Sequence, residues 1–219
     1  MAQRPLLVFD LDGTLVDSNA ACVAILQEML QARRSVNTID EGSAAAYMSR
    51  GGRDMVRALL GDACRNPDED LKEFRARYAE HTTSRDTVFP GVETGLQALT
   101  DAGFTMAICS NKPQALCEKV LTDTGLAVHF GTIVGGRPEL RPKPEPDLLD
   151  CVLCAHQLPR GEGVFIGDSE IDHAVADAFG MPFHLLSWGY APAGWSPPSG
   201  TVHHNFETLV SHLSGEISE

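Results

Sequence analysis

Residues 5–18 read PLLVFDLDGTLVDS, and the fold follows from how this stretch begins and ends. The run PLLVF is short, continuous and apolar, which suits a strand buried on both faces of a parallel sheet, and it stops directly at Asp10. Asp10 therefore closes a strand at its C-terminal end. Asp12 follows two residues later, so both side chains point the same way while the chain stays extended, and Gly13 then lets the backbone turn. A pair of carboxylates so placed can hold a hard cation such as Mg2+, which prefers oxygen ligands, or supply a nucleophile. Asp12-Gly13 taken alone is also an ordinary turn signal. Asp17 and Ser18 read as caps of a helix that carries Val23, Leu26 and Leu30 at helical spacing and runs to about residue 34.

Beyond that helix the chain stays helical to about residue 85: AAAYMSRGGRDMVRALLG and DEDLKEFRARYAEH are rich in helix formers, broken by Gly51, Gly52, Gly61 and Pro67. From Phe89 the grammar changes. A helix over residues 92–102 closed by Gly103 precedes the apolar run FTMAIC, then a helix with Pro113 near its first turn and Gly125 after its end. A short strand at 132–134, a helix begun by Pro146, and GVFIG running into Asp168 come next. A helix ending at Gly180, the strand-like PFHLL, a Gly/Pro-rich loop over 188–200 and a last helix with Phe206, Leu209, Val210 and Leu213 complete the chain. Alternating strands and helices imply an α/β, doubly wound, mostly parallel sheet. The expected organisation is a core of residues 1–16 and 87–219 with an all-helical insertion, 17–86, sitting over the site. Ligands of such sheets bind outside the carboxyl ends of the strands, where Asp10, Ser110 and Asp168 fall.

Composition narrows the function. At 219 residues, 43% hydrophobic and 21% charged, the chain has the make-up of a soluble globular enzyme large enough for a core and an insert. Thirty acidic against 17 basic residues give a net charge of −13, which repels polyanions and argues against nucleic acid as a partner. A small anionic substrate stays open, because local cations and a metal dominate within a Debye length of about 8 Å. No apolar run approaches a signal peptide or the ~18 residues of a membrane span, so a cytoplasmic protein without a membrane partner is expected, as a monomer or homodimer. Most of the six cysteines read as reduced core residues. Cys151 and Cys154, a C-x-x-C pair on an amphipathic helix, read as packing rather than as a metal or redox site. His203 and His204 precede a helix and offer no zinc-ligand spacing.

DLDGTLVDS, residues 10–18, resembles the first motif of the haloacid dehalogenase superfamily of phosphohydrolases. CSNK, with Ser110, resembles the second; Lys143 in RPKPEPD resembles the third; GDSEID, with Asp168 and Asp172, resembles the fourth, all in the family's order. The helical insert, PGV at 90–92 and WGY at 188–190 resemble the phosphoglycolate phosphatase-like branch with its helical cap.

The resemblance implies a set of roles. Asp10 attacks phosphorus to form an aspartyl-phosphate, and Asp12 protonates the leaving group and then activates water. Mg2+ is held by Asp10, the backbone carbonyl of Asp12 and Asp168. Ser110 and Lys143 bind the phosphoryl group together with backbone N–H groups near Leu11 and Asn111; Gly13 and Thr14 support the loop, and Asp172 orients Lys143 or a metal-bound water. Asn111 and Lys112 read equally well as the approach to a Pro-started helix. Arg50 and Arg53, flanking Gly51-Gly52, are either a solvated helix face or the cap segment that reaches a substrate's second anionic group.

The expected activity is hydrolysis of a small phosphorylated metabolite, with 2-phosphoglycolate the best single match. A phosphosugar mutase resembling β-phosphoglucomutase would keep the same motifs, and an inactive scaffold of the same fold used for binding is the non-enzymatic alternative. A receiver domain would be much shorter. Haloacid dehalogenase chemistry itself needs no carboxyl group at Asp12.

Overall fold

The computed structural model describes residues 4–215. The chain divides into two compact units: one takes the chain up to Asp17 and again from Ser84 onward, the other is Ser18–Thr83. The first is built on six parallel strands: β1 (Leu6–Phe9), β2 (Thr105–Pro113), β3 (Thr132–Gly136), β4 (Val164–Gly167), β5 (Phe183–Leu186) and β6 (Thr201–His203). Their order across the sheet is β3-β2-β1-β4-β5-β6. The order reverses between β1 and β4, and that reversal opens the crevice in which doubly wound sheets bind ligands.

The second unit is helical, with α1 (Asn19–Ala32), α2 (Glu41–Ala44), α3 (Gly52–Leu60) and α4 (Pro67–Glu80). Its core is made by Ile25, Leu26, Met29, Met55, Val56, Leu60, Phe74 and Tyr78, all buried. The start of α4 is specified locally: Asn66 accepts from the N–H groups of Asp68 and Glu69, and Pro67 takes a first-turn position where its missing N–H costs nothing. The nearly buried Arg33 guanidinium donates to Asp70 and Glu73 and to the carbonyl of Ala63, joining α1 to α4. Ser18 stands at the N-cap of α1 but does not make the expected side-chain cap.

Helices α5 (Val92–Asp101), α6 (Gln114–Thr124), α7 (Asp147–Ala155), α8 (Glu170–Phe179) and α9 (Phe206–Gly215) belong to the α/β unit. Strand alternation sorts the core: Leu6, Val8, Ala107, Cys109, Phe165, Phe183 and Leu185 pack with Leu148, Val152, Val175 and Phe179 of α7 and α8. Phe9 lies on the opposite face and meets Phe130 edge-on and Phe206 in a stack.

Two elements differ from the expectation. Strand β2 does not end at Cys109 but continues, through a register shift, to Pro113, because Pro113 still pairs with Gly136. Strand β6, only three residues long, pairs with β5 inside what reads as loop and helix approach. None of the six cysteines is in a disulfide; Cys22, Cys109 and Cys117 are buried and Cys151 packs against the core, but Cys154 is exposed rather than a packing residue.

Pairing of β5 with β6 sets His184 opposite Thr201 and His203 opposite Leu186, which brings the two imidazoles together diagonally, and α9 adds His212. His184 Nδ1 and His203 Nε2 lie 2.8 Å apart, and the three rings sit within 5.6 Å of one another. Burial, with the two neighbouring imidazoles adding to it, pushes His184 down to about 3. The unfolded chain takes up this proton below about pH 6.5 while the folded protein refuses it, so stability falls as the pH drops from there toward 3. Urea unfolding should show a loss of about 1–2 kcal/mol between neutral pH and about pH 5 from this group. His184→Asn, which keeps a polar atom near Nδ1, should flatten that slope; an unchanged slope would assign it to other groups.

Candidate active site

The site assembles at the strand ends nearest the reversal. Asp10 follows β1, and its N–H donates to the carbonyl of Ile166 in β4 at 2.9 Å, which keeps it in sheet geometry. The chain then turns tightly: the N–H of Leu15 returns to Leu11 and that of Gly13 bonds Val16, both at 2.9 Å. Gly13 has φ +82°, and a Cβ there would stand 2.4 Å from Asp168 Oδ2, so both its conformation and its contact require glycine.

Asp168, at the end of β4, is buried with each oxygen engaged once: Thr14 donates to Oδ1 at 2.8 Å and the N–H of Tyr190 to Oδ2 at 2.7 Å. Asp172 closes a capping box with Ser169 at the start of α8, so Oδ2 is taken by the hydroxyl and N–H of Ser169. Its Oδ1 accepts from Lys143 Nζ at 2.6 Å. The same ammonium stands 3.0 Å from Asp10 Oδ1, but off the line of a hydrogen bond, so that buried oxygen has a charge beside it and no hydrogen bond of its own.

Lys143 comes from a loop, and Asn111 holds it there. The Asn111 amide donates to the carbonyl of Lys143 at 3.0 Å and accepts from its N–H at 2.6 Å, so the Asn111 side chain is committed to the lysine's main chain. Ser110 is buried beside it on β2. Asp12 points to a different cation: Lys112 Nζ lies 2.9 and 3.1 Å from its two oxygens. In the helical unit, Arg50 lies over the ring of Tyr47 at 4.8 Å and lines a cavity of about 310 Å³ with Asp54 and Arg57. Arg53 is exposed and paired with Asp68 at 2.8 Å.

Charge is badly balanced at the strand ends. Burial raises Asp10 to about 6, Lys143 opposing and the neighbouring Asp172 and Asp12 reinforcing the rise. Burial, with Asp172 and Asp10 adding to it, holds Asp168 well above the ordinary carboxylate range despite the Tyr190 N–H and Thr14 hydroxyl. Burial alone would discharge Lys143, but Asp10 and Asp172 more than reverse this and keep it an ammonium. Three carboxylates thus crowd together where one buried ammonium pairs with two of them, Asp10 and Asp172.

Oxygens of Asp10, Asp168 and Asp172 fall within 4.8 Å of one another, the spacing of a metal site. The second Asp10 oxygen and the spare lone pairs of Asp168 suit a hard divalent ion, whereas both Asp172 oxygens are already occupied. The cluster therefore fits an oxygen-seeking cation at Asp10 and Asp168. Two contacts lay outside the sequence argument: Lys112 on Asp12, 100 positions apart, and Tyr190 on Asp168.

A doubly wound parallel sheet, a helical insertion after its first strand and a carboxylate–lysine centre at the point of reversal define a doubly wound α/β protein with an inserted helical unit. The chain belongs to the haloacid dehalogenase-like hydrolase family, whose pattern matches residues 7–186. It is 35% identical over 211 residues to the plasmid-encoded phosphoglycolate phosphatase of Cupriavidus necator, covering 94% of this chain and 89% of that one. A phosphoglycolate phosphatase of Rhodobacter capsulatus is 33% identical over 218 residues, covering 96% and 97%. The crystal structure of a predicted phosphoglycolate phosphatase from Haemophilus somnus 129pt superposes with a TM-score of 0.84 at 23% identity, covering 97% of this chain and 99% of that one. At that identity the likeness concerns the fold alone. Among the described residues, no helix is long and apolar enough to cross a membrane.

Proposed function

We propose that this hydrolase is a Mg2+-dependent phosphatase of a small phosphorylated metabolite, working through an aspartyl-phosphate on Asp10. The observation that carries the reading is the Asp10 carboxylate oxygen, buried, beside the Lys143 ammonium and without a hydrogen bond, at the sheet's point of reversal. An oxygen in that state keeps its lone pairs for an electrophile. Asp10 attacks phosphorus as the ester P–O bond breaks, and Asp12 gives its proton to the departing oxygen. Water then attacks the phosphorus, Asp12 takes its proton, and the P–O bond to Asp10 breaks to release phosphate. Lys143 and the Ser110 hydroxyl bind the phosphoryl oxygens, and Lys112 holds Asp12 in place until substrate arrives. Asp172 and Asn111 fix Lys143, through its ammonium and its main chain respectively.

Mg2+ bound at Asp10, Asp168 and the Asp12 carbonyl would screen the meeting of two anions and stabilise charge as the phosphoryl group moves. The names of the relatives make 2-phosphoglycolate the first substrate to try. We assign the choice of substrate to the helical unit, with Arg50 the better of the two arginine candidates because Arg53 is already paired with Asp68.

A panel of phosphorylated metabolites, assayed for phosphate release with Mg2+ and with chelator, tests the proposal. Metal-dependent release is expected from at least one short-chain phosphate ester. No release from any compound, or release unaffected by chelation, would refute it; isomerised sugar phosphate without released phosphate would indicate a mutase.

A further inference from the structure

The segment Trp188-Gly189-Tyr190 lies between β5 and β6, outside every role assigned above, yet it touches three parts of the α/β unit at once. The N–H of Tyr190 donates to Asp168 Oδ2 at 2.7 Å, and its phenol donates to Asp17 Oδ1, also at 2.7 Å. Asp17 is the last residue before the chain leaves this unit. Its own N–H bonds the carbonyl of Thr87, on the segment by which the chain returns, at 2.7 Å. Val16 bridges Val88 in antiparallel fashion, and the N–H of Phe89 donates to Leu15 at 3.0 Å, so the outgoing and returning segments form a short paired ribbon. Trp188 sets its ring 5.9 Å from that of Phe89 on the returning side.

The contacts leave no slack. A Cβ on Gly189 would stand 2.3 Å from Asp168 Oδ2, and one on Gly13 would stand 2.7 Å from the ring of Tyr190. Tyr190 is itself buried. In a packed region a small displacement of one group is passed on rather than absorbed. A cation held by Asp168 would act on the same carboxylate that Tyr190 holds.

We propose that Tyr190 is a positioning residue that links the Asp168 carboxylate to the ribbon at Asp17, so that Mg2+ binding at the strand ends is transmitted to the segments where the chain leaves and re-enters the α/β unit. This rests on the metal reading above. The hydroxyl is the separable part of the link: Tyr190→Phe keeps the ring and the N–H on Asp168 and removes the hydroxyl that donates to Asp17.

The test uses the whole protein and Mg2+ alone. Calorimetry measures Mg2+ binding, and hydrogen exchange follows the amides of Asp17 and Phe89, the two ribbon donors, with and without the ion. In the wild type, Mg2+ should change exchange at these amides by about fivefold or more, the scale of a modest coupling between sites. Tyr190→Phe should bind Mg2+ and lose the response, Asp17→Ala should do the same, and Asp17→Asn, whose amide oxygen still accepts, should restore it. The Asp17 pair carries the same comparison if Tyr190→Phe fails to fold. A response in Tyr190→Phe or Asp17→Ala equal to that of the wild type overturns the proposal, as does wild-type protein that binds Mg2+ with no change at the ribbon. Wild-type protein that binds no Mg2+ overturns the metal reading and this inference with it.

Discussion

Asp10→Asn should abolish phosphate release, lowering turnover by at least about 10³-fold, because the carboxylate proposed to attack phosphorus becomes an amide that does not. The amide keeps the shape of the side chain, and Lys143 keeps Asp172 as its partner at 2.6 Å. One of three crowded carboxylates becomes neutral, which relieves repulsion in a site where burial already resists the charge on Asp10. The metal-free variant should therefore melt no lower than metal-free wild type near neutral pH. The pairing of the two results decides the matter: activity lost without stability lost locates Asp10 in the chemistry, whereas a variant that keeps even a tenth of the wild-type rate would remove it.

Lys143→Met should behave in the opposite way and damage both. The ammonium is buried between Asp10 Oδ1 at 3.0 Å and Asp172 Oδ1 at 2.6 Å, and it lies over the ring of Phe165. Removing it leaves buried carboxylates with no cation, a loss of about 3–5 kcal/mol for a broken buried pair. In a chain of this size that lowers the melting temperature by on the order of 10 °C. Turnover should fall by at least about 10²-fold as well, since a point charge aimed at the phosphoryl oxygens is lost. Mg2+ should recover part of the stability, because a cation then faces Asp10 and Asp168 again. Thermal unfolding with and without the ion measures this; a variant as stable as wild type without metal would mean that the carboxylates are not crowded as the geometry indicates.

Asp10 and Asp168 were legible in the sequence because each closes an apolar run, and a buried parallel strand announces both its direction and its end. Lys143 and Asp172 were legible only through their company, since a lysine among prolines and a carboxylate in a helix's first turn each have ordinary structural uses. Spacing says nothing about Lys112 and Asp12, which meet because β1 and β2 pair in a particular register and β2 runs on past Cys109. Strand β6 and the cluster of His184, His203 and His212 escaped notice for a related reason: three residues carry no readable period, and the histidines come together only through sheet pairing and the return of α9. Tyr190 belongs to a recognisable WGY, but its bond to Asp17 spans 173 positions and is a property of the folded chain. Local pattern therefore located the strand ends, while tertiary register decided which charges face one another there.

The proposed reaction passes through a phosphorylated Asp10. Rapid quenching of the enzyme during turnover of a phosphoryl-labelled substrate, followed by peptide mapping, measures this directly. Label on the peptide carrying Asp10, released by hydroxylamine as an acyl phosphate and absent from Asp10→Asn, is the predicted result. Full turnover with no label on the protein at any quench time, or label on another residue, would contradict it.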